Sequence, residues 1–496
     1  MPVLPLLRGL SLSQIPESLS ENQGQGGTLM DGLAEGAHPS AQQPIQETSM
    51  RLARRGFVFA LASLPFARLP QAHAQVAAPI LLDNVRYFDG RAMAAPTRLL
   101  MANGILRILN SDAAPEGAQR VDLSGRYVIP AMIAAHSHVG HTAGGTSGRQ
   151  YYTRENVEAQ LRQYQAFGIG AAASLGLNAP LFHALRAESR AGRLAGALFL
   201  GAGPGLGMPE GAPPAGPMNL ADDQVIRPAD PAAMRQGIND LADKGIDLVK
   251  VWIDGLGDTV PQMTPEMARA AVEAAHGRGL KVAAHIHDLS QAQLAVEAGV
   301  DILAHGIRDK EIDGGLLALM RERGTWYIPT IQIDEAEYLY ADDPAITEDP
   351  FLRAALNPAM IARMQDPSWR AAQLGRAAPR RSDVRINKLN LKRIHDAGIP
   401  VAFGTDSGGT PLRVQGFAEH RELELMVEAG LTPAQALDIA TARSAQLLGL
   451  ADRGSVRDGL RADLVVLEGD PLANIRNTRR IARVYQAGRE VAGPIT

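Results

Sequence analysis

The chain has 496 residues, of which 46% are hydrophobic and 21% charged, and it carries a net charge of −4 at pH 7. The length exceeds what one small core needs, the composition is ordinary for a globular protein, and the lack of a basic surplus argues against nucleic acid as a partner. There is no cysteine, which excludes disulfides and thiolate metal sites and leaves imidazole and carboxylate as metal ligands.

Residues 1–49 are rich in Gly, Ser, Gln and Glu without periodicity and are read as disordered. Met50 looks like a second start. Arg51, Arg54 and Arg55 precede an apolar stretch, Gly56–Leu69, and then Ala72-His73-Ala74. A positive n-region, a short apolar region and a small-x-small site describe an export signal. Arg54-Arg55-Gly56-Phe57-Val58 resembles its twin-arginine form. The expectation is translation from Met50, a mature start near residue 75 and a periplasmic or secreted protein. Pro65 and Arg68 interrupt the stretch, which is too short to span a membrane.

From Pro79 onward short alternating runs predict strands at 80–85, 98–101, 105–109 and 119–123, separated by turns at Asp89-Gly90, Asn103-Gly104 and Ser124-Gly125. The far end mirrors them with 462–467 and 481–485. Neither set makes a stable sheet by itself. Residues 76–130 plus 455–496 are therefore expected to form one composite β-sandwich.

Between them strands and helices alternate, which predicts βα units on a parallel sheet. Eight strand candidates stand at 128–138, 169–175, 197–201, 248–253, 281–285, 301–305, 326–331 and 400–406, with amphipathic helices such as Pro265–Gly277 and Leu289–Ala298. That count specifies an α/β fold, a (β/α)8 TIM barrel over residues 131–454, with its active site at the carboxyl ends of the strands. His136 and His138, Lys250, His285, His305 and Asp406 fall in or at the ends of these runs. Side chains two positions apart share a strand face, so His136 and His138 can grip one cation together. Core packing explains one histidine in an apolar run, but not six ionisable groups placed alike.

The run Ile129 to His138, Lys250 in Leu-Val-Lys-Val-Trp, His285 in Val-Ala-Ala-His, His305 in Leu-Ala-His-Gly and Asp406 in Phe-Gly-Thr-Asp-Ser follow one another in order. Together they resemble the amidohydrolase superfamily, in particular its binuclear prolidase-like and imidazolonepropionase-related members. Gly454-Ser455, Gly459 and Ala462-Asp463-Leu464-Val465 resemble the tail that returns the chain to the small sandwich. The resemblance implies a two-metal hydrolase of amide bonds, most often with zinc, although imidazole and carboxylate also suit manganese or cobalt. It implies that His136, His138 and Asp406 hold one ion and His285 and His305 the other. A carboxylated Lys250 would bridge them, since a lysine neutralised by burial can add carbon dioxide. A hydroxide shared by the two ions would attack the carbonyl, and Asp406 would carry the proton to the leaving amine.

Other candidates rest on position. His287 shares a face with His285 and is expected at the substrate, and Arg308 could bind a substrate carboxylate. His141 stands between a loop residue and a partner of the ligands. His420, at the start of a helix, is either a solvated terminus or a pocket residue. Tyr151, Tyr152, Tyr327 and Thr330 are pocket candidates, as are the loops Pro204–Gly216 and Tyr338–Pro350. His38, His73, His183, His276 and His395 carry no signal. Prolidase-like relatives often have a tyrosine after the lysine strand, whereas Asp254–Met263 has none. The expected substrate is a small molecule such as an N-acyl amino acid, a dipeptide or an amide xenobiotic. A lactone or phosphotriester hydrolase on the same metals is the alternative, and a non-catalytic ligand-binding barrel is the other. Nothing in the chain predicts a membrane span, and a homo-oligomer is compatible with it.

Overall fold

The computed structural model describes residues 78–109 and 115–495. The leader and export signal expected before residue 75, with His38 and His73, lie outside the described residues. All of the described residues fall within one compact unit. Among the described residues no helix is long and apolar enough to cross a membrane.

The two ends of the described chain meet in one eight-stranded sheet. Its strands are β1 (Ile80–Tyr87), β2 (Thr97–Ala102), β3 (Ile105–Leu109), β4 (Gln119–Asp122) and β5 (Tyr127–Pro130). The far end adds Leu464–Leu467, Ile481–Gln486 and Arg489–Ala492. Leu464–Leu467 runs antiparallel to β5, with Leu464 opposite Pro130 and Leu467 opposite Tyr127. Leu82, Val85, Leu99 and Val128 from the first segment share one core with Leu464, Val466 and Tyr485 from the last.

The expected long strand over 128–138 is broken. β5 ends at Pro130 and β6 (Met132–Ser137) begins after Ala131, whose N–H bonds back to Asp463. The chain thus leaves one sheet and enters another within a residue. A small hairpin follows, β7 (Thr142–Ala143) and β8 (Thr146–Ser147), and then β9 (Ile169–Ser174) and β10 (Leu198–Gly201). β6, β9 and β10 form a parallel sheet in the order β10-β9-β6. A second parallel sheet holds β11 (Val249–Trp252), β12 (Val282–His285), β13 (Ile302–Ala304) and β14 (Trp326–Ile328).

Helices fill the connections, making this an α/β fold. Local chemistry explains their bounds. In Pro265–Gly277, Thr264 accepts the Met267 N–H and proline occupies the first turn, where a missing N–H costs nothing. Leu289–Ala298 starts at a capping box of Asp288 and Gln291 and stops at Gly299, which is left-handed at φ 91°. Both helices match their expected bounds.

The eighth strand expected over 400–406 is not regular. The segment is held by separate backbone bonds, from Tyr327 N–H to Pro400, from Ala402 N–H to Tyr327, from Ala135 N–H to Phe403 and from His138 N–H to Ser407. It therefore lies between β14 and β6. Asp406 interrupts it at φ 59°. On the opposite flank Leu206 exchanges backbone bonds with Lys250 and Trp252 of β11.

Candidate active site and metal centre

Parallel strands send their carboxyl ends to one side, and that is where the ionisable residues gather. His136 is the penultimate residue of β6, and His138 lies just past its end. Lys250 stands inside β11, His285 ends β12, and His305 directly follows β13. The period-2 expectation for the histidine pair is met in space. Nε2 of His136 is 2.9 Å and Nε2 of His138 is 3.0 Å from Oδ1 of Asp406. These three residues can offer ligand atoms that all lie within 4.8 Å of one another.

The other histidines close the cluster. His305 Nε2 is 4.0 Å from Asp406 and 2.9 Å from His285 Nδ1. Its ring stacks on that of His136 at 4.5 Å between centroids. Lys250 is 1% exposed and its Nζ donates to the Ala304 carbonyl at 3.3 Å. Burial pushes its ammonium down to about 7, against the opposing pull of Asp406. Burial likewise lowers His136 to about 3 and His285 to about 4.

Neighbours fix how these rings face. His138 Nδ1 lies 3.2 Å from the Gly176 carbonyl and His305 Nδ1 lies 3.0 Å from the Thr330 hydroxyl. A ring whose Nδ1–H bonds a carbonyl presents a bare Nε2. In that tautomer His138 points a lone pair at a carboxylate oxygen. His136 is fully buried, and neither ring nitrogen has a partner in hydrogen-bond geometry. A cation among these atoms would relieve both conditions, so the donor set fits a divalent metal.

The cluster floors a cavity of about 520 Å³ whose lining includes His138, Lys250, His285, His305 and Asp406. His287 and Arg308 line it too, as placed from sequence. Arg308, however, is already paired with Asp334 at 3.0 Å and donates to the Ile286 and Gly306 carbonyls. His287 lies against Asp288 at 2.6 Å. Of the two expected loops, 204–216 contributes Ala212, Pro213 and Pro214 to the cavity, whereas 338–350 contributes nothing.

Several pocket candidates are corrected. His420 is neither solvated nor in the cavity. Its helix runs Phe417–Glu428, and the 1% exposed ring bonds Thr478 and the Phe167 carbonyl. Tyr327, within β14, is fully buried off the cavity, accepting from Ile307 N–H and donating to Asn387. Thr330 touches His305 rather than the cavity. Tyr151 bonds Thr146, and Tyr152 bonds Asn178. His141 is 1% exposed, off the cavity, with both ring nitrogens unpartnered.

Sequence reasoning missed Asp254, Trp252 and Arg413. Asp254 Oδ2 is 3.4 Å from His285 Nε2. Burial alone would raise its carboxyl, but His285 holds it below the ordinary range. Lys250, Trp252 and Asp254 alternate, and that spacing was the available signal. Arg413 Nη1 contacts Asp406 Oδ2, and only tertiary folding brings them together.

A profile of the Amidohydrolase family matches residues 127–491. Ochratoxinase of Aspergillus niger is 28% identical over 297 residues, 56% of this chain and 52% of that protein, so the chain spans about half the length of this relative. Imidazolonepropionase of Deinococcus radiodurans is 40% identical over 106 residues, 20% of this chain and 26% of that one. A solved Xaa-Pro dipeptidase, with methionine bound in its active site, is 22% identical with a TM-score of 0.65, covering 83% of this chain and 99% of its own. That last likeness is one of fold. With its profile match running from β5 through the last strands of the eight-stranded sheet, the chain belongs to the amidohydrolase family.

Proposed function

We propose that this chain is a metal-dependent hydrolase that cleaves a carbon–nitrogen amide bond in a small substrate. Its two parallel sheets, joined through 401–407 on one flank and Leu206 on the other, are read as one (β/α)8 barrel. The observation that carries the reading is the convergence of four imidazoles, one carboxylate and one buried lysine in a single cluster, five of whose six residues line one cavity. Family membership supports it, as does the relative named ochratoxinase.

His136, His138 and Asp406 would hold one divalent ion, and His285 and His305 a second, with zinc the favoured metal. When bound, such ions polarise a carbonyl and acidify water. The chain's own residues do the rest. A Lys250 near neutrality carries a free amine, whose nitrogen can add carbon dioxide with loss of a proton to give a carbamate facing both ion positions. Asp406 is kept ionised. Burial alone would raise it, but His138, His305 and Arg413 hold it well below the usual carboxylate range. It can therefore take a proton from the attacking water and pass it to the leaving nitrogen. Thr330 and the Gly176 carbonyl hold the rings of His305 and His138 in position. The arginine leader supports placing this activity outside the cytoplasm, and a mature chain beginning near residue 75 on N-terminal sequencing is the expected result.

The test is elemental analysis of zinc-loaded protein, combined with a panel of amides, lactones and organophosphates. Two metals per chain and preferred amide turnover, lost in Lys250→Ala, are expected. Fewer than one metal per chain, or faster turnover of esters than of amides, overturns the reading.

A further inference from the structure

The cavity has two unlike walls. Leu177, Ala212, Pro213, Met218, Trp252 and Leu256 form one, interrupted by the Asp254 carboxylate, and Arg308, Asp334, Glu337, Arg380, Thr410 and Arg413 form the other. We infer that the first wall is a subsite for an apolar acyl group, so that the substrate is an N-acyl compound with an aromatic or branched acyl half and a polar amine half. The inference rests on the hydrolase reading and adds a substrate class to it.

Two leucines of this wall have an uncommon backbone. Leu177 has φ 61° and Leu256 has φ 49°, a left-handed conformation that a Cβ disfavours and that glycine adopts freely. Glycines stand beside both, at Gly176 and Gly257. Leu177 packs its side chain against Ala212 and Trp252. Leu256 is 36% exposed, one of few large apolar side chains so exposed among the described residues. Its side chain is thus an open apolar surface in the cavity lining.

The wall is built rather than loose. Trp252 is wedged between two glycines, since a Cβ at Gly176 or at Gly205 would come within 2.4 Å of its indole. Leu177, Ala212 and Trp252 form a core cluster of their own, with Met218 packed against it. Arg227 clamps the loop behind, donating to the carbonyls of Met208, Gly211 and Ala212 at 2.9 Å each and to that of Pro213. Gln224 holds the Leu177 carbonyl at 2.8 Å. Such a preformed apolar surface binds a matching group without first ordering itself.

Asp406 sets the direction. Arg413 contacts it, and Gly409 and Thr410 follow it closely at the cavity, so it belongs to the polar wall. In hydrolysis the water oxygen bonds to the acyl carbon, the carbon–nitrogen bond breaks, and the nitrogen receives the proton carried by Asp406. The amine half must then lie toward the polar wall and the acyl half toward Trp252. The products are an apolar carboxylic acid and a polar amine.

Two measurements test this on the zinc-loaded full chain. N-acetyl, N-hexanoyl and N-benzoyl derivatives of glycine and of aniline are compared for kcat/KM. Benzoyl is expected to exceed acetyl by about tenfold or more, the scale of a filled apolar pocket, and Leu256→Asp to reduce that ratio by about tenfold. Separately, 2-naphthoate is titrated against acetate by tryptophan fluorescence, with Trp252→Phe removing the responding indole. Tighter binding of 2-naphthoate, weakened by Leu256→Asp, is expected. Equal binding of the two acids, or preference for acetyl over benzoyl, overturns the subsite and leaves the hydrolase standing. Failure to turn over any amide, with naphthoate still bound, sinks the hydrolase reading instead.

Discussion

Asp406 combines a demanding backbone with a demanding role. Its φ of 59° is one that aspartate and asparagine tolerate better than most residues. Asp406→Asn should therefore keep the fold, with a loss of about 1 kcal/mol or less on unfolding. It should lower kcat by roughly a thousandfold, the scale of a lost general acid–base group. Activity within tenfold of the wild type would remove Asp406 from proton transfer. His420 tests the interior differently. Burial lowers it to about 3, against 6.5 for an exposed ring. A depressed value means the unfolded chain binds the proton first. Its contribution is complete above pH 6.5 and fades as pH falls toward 3, by about 1.4 kcal/mol per pH unit. In His420→Gln the amide can still donate to Phe167 and accept from Thr478 without titrating. The fall in Tm between pH 6.5 and 4 should be shallower in the variant, and identical slopes would contradict the assignment. The helix that begins at Phe417 was legible in sequence around His420. Its burial was not, because Phe167 and Thr478 come from distant parts of the chain.

The segment 401–407 shows how an element without regular pairing still places Asp406 against His136 and His138. Gly404 lies so close to β6 that a Cβ there would sit 2.6 Å from the His136 Cβ and 2.9 Å from its nitrogen. Gly404→Ala must push β6 and its histidine aside. The expected cost is about 1–3 kcal/mol, with weaker zinc retention during dialysis against a chelator. Unchanged Tm and unchanged zinc would show that β6 moves freely. The apolar run here was visible in sequence, and so was the acid at its end. Its irregularity was not, because the left-handed turn at Asp406 leaves no mark in the apolar pattern. β5 and β6 had the same origin of error. One unbroken apolar run covers both, since each strand is buried, and periodicity cannot see the chain change sheets at Ala131.

At the scale of the whole molecule the eight-stranded sheet and the parallel sheets that carry the histidines are continuous in the chain. β5 pairs with Leu464–Leu467, and two residues after Pro130 the chain is already in the strand that carries His136. A chain ending at residue 463 would expose the Val128 edge and empty the core that Leu464, Val466 and Tyr485 fill. It should lose its cooperative thermal transition together with its capacity to retain added zinc. A soluble, zinc-binding product would show that the eight-stranded sheet is dispensable.

The alternation of strands and helices, and the order of His136, His138, Lys250, His285, His305 and Asp406 along them, followed from local chemistry alone. Side-chain period, helix caps and the absence of cysteine are properties of neighbouring residues, so they are written in the chain itself. Which of the remaining polar groups would meet the cavity was decided only by the tertiary structure. Arg413 reached Asp406, Asp334 claimed Arg308, and Tyr327 and His420 were enclosed in the interior. Such partners come from different strands and helices, and their pairing depends on how those elements pack rather than on any spacing along the sequence.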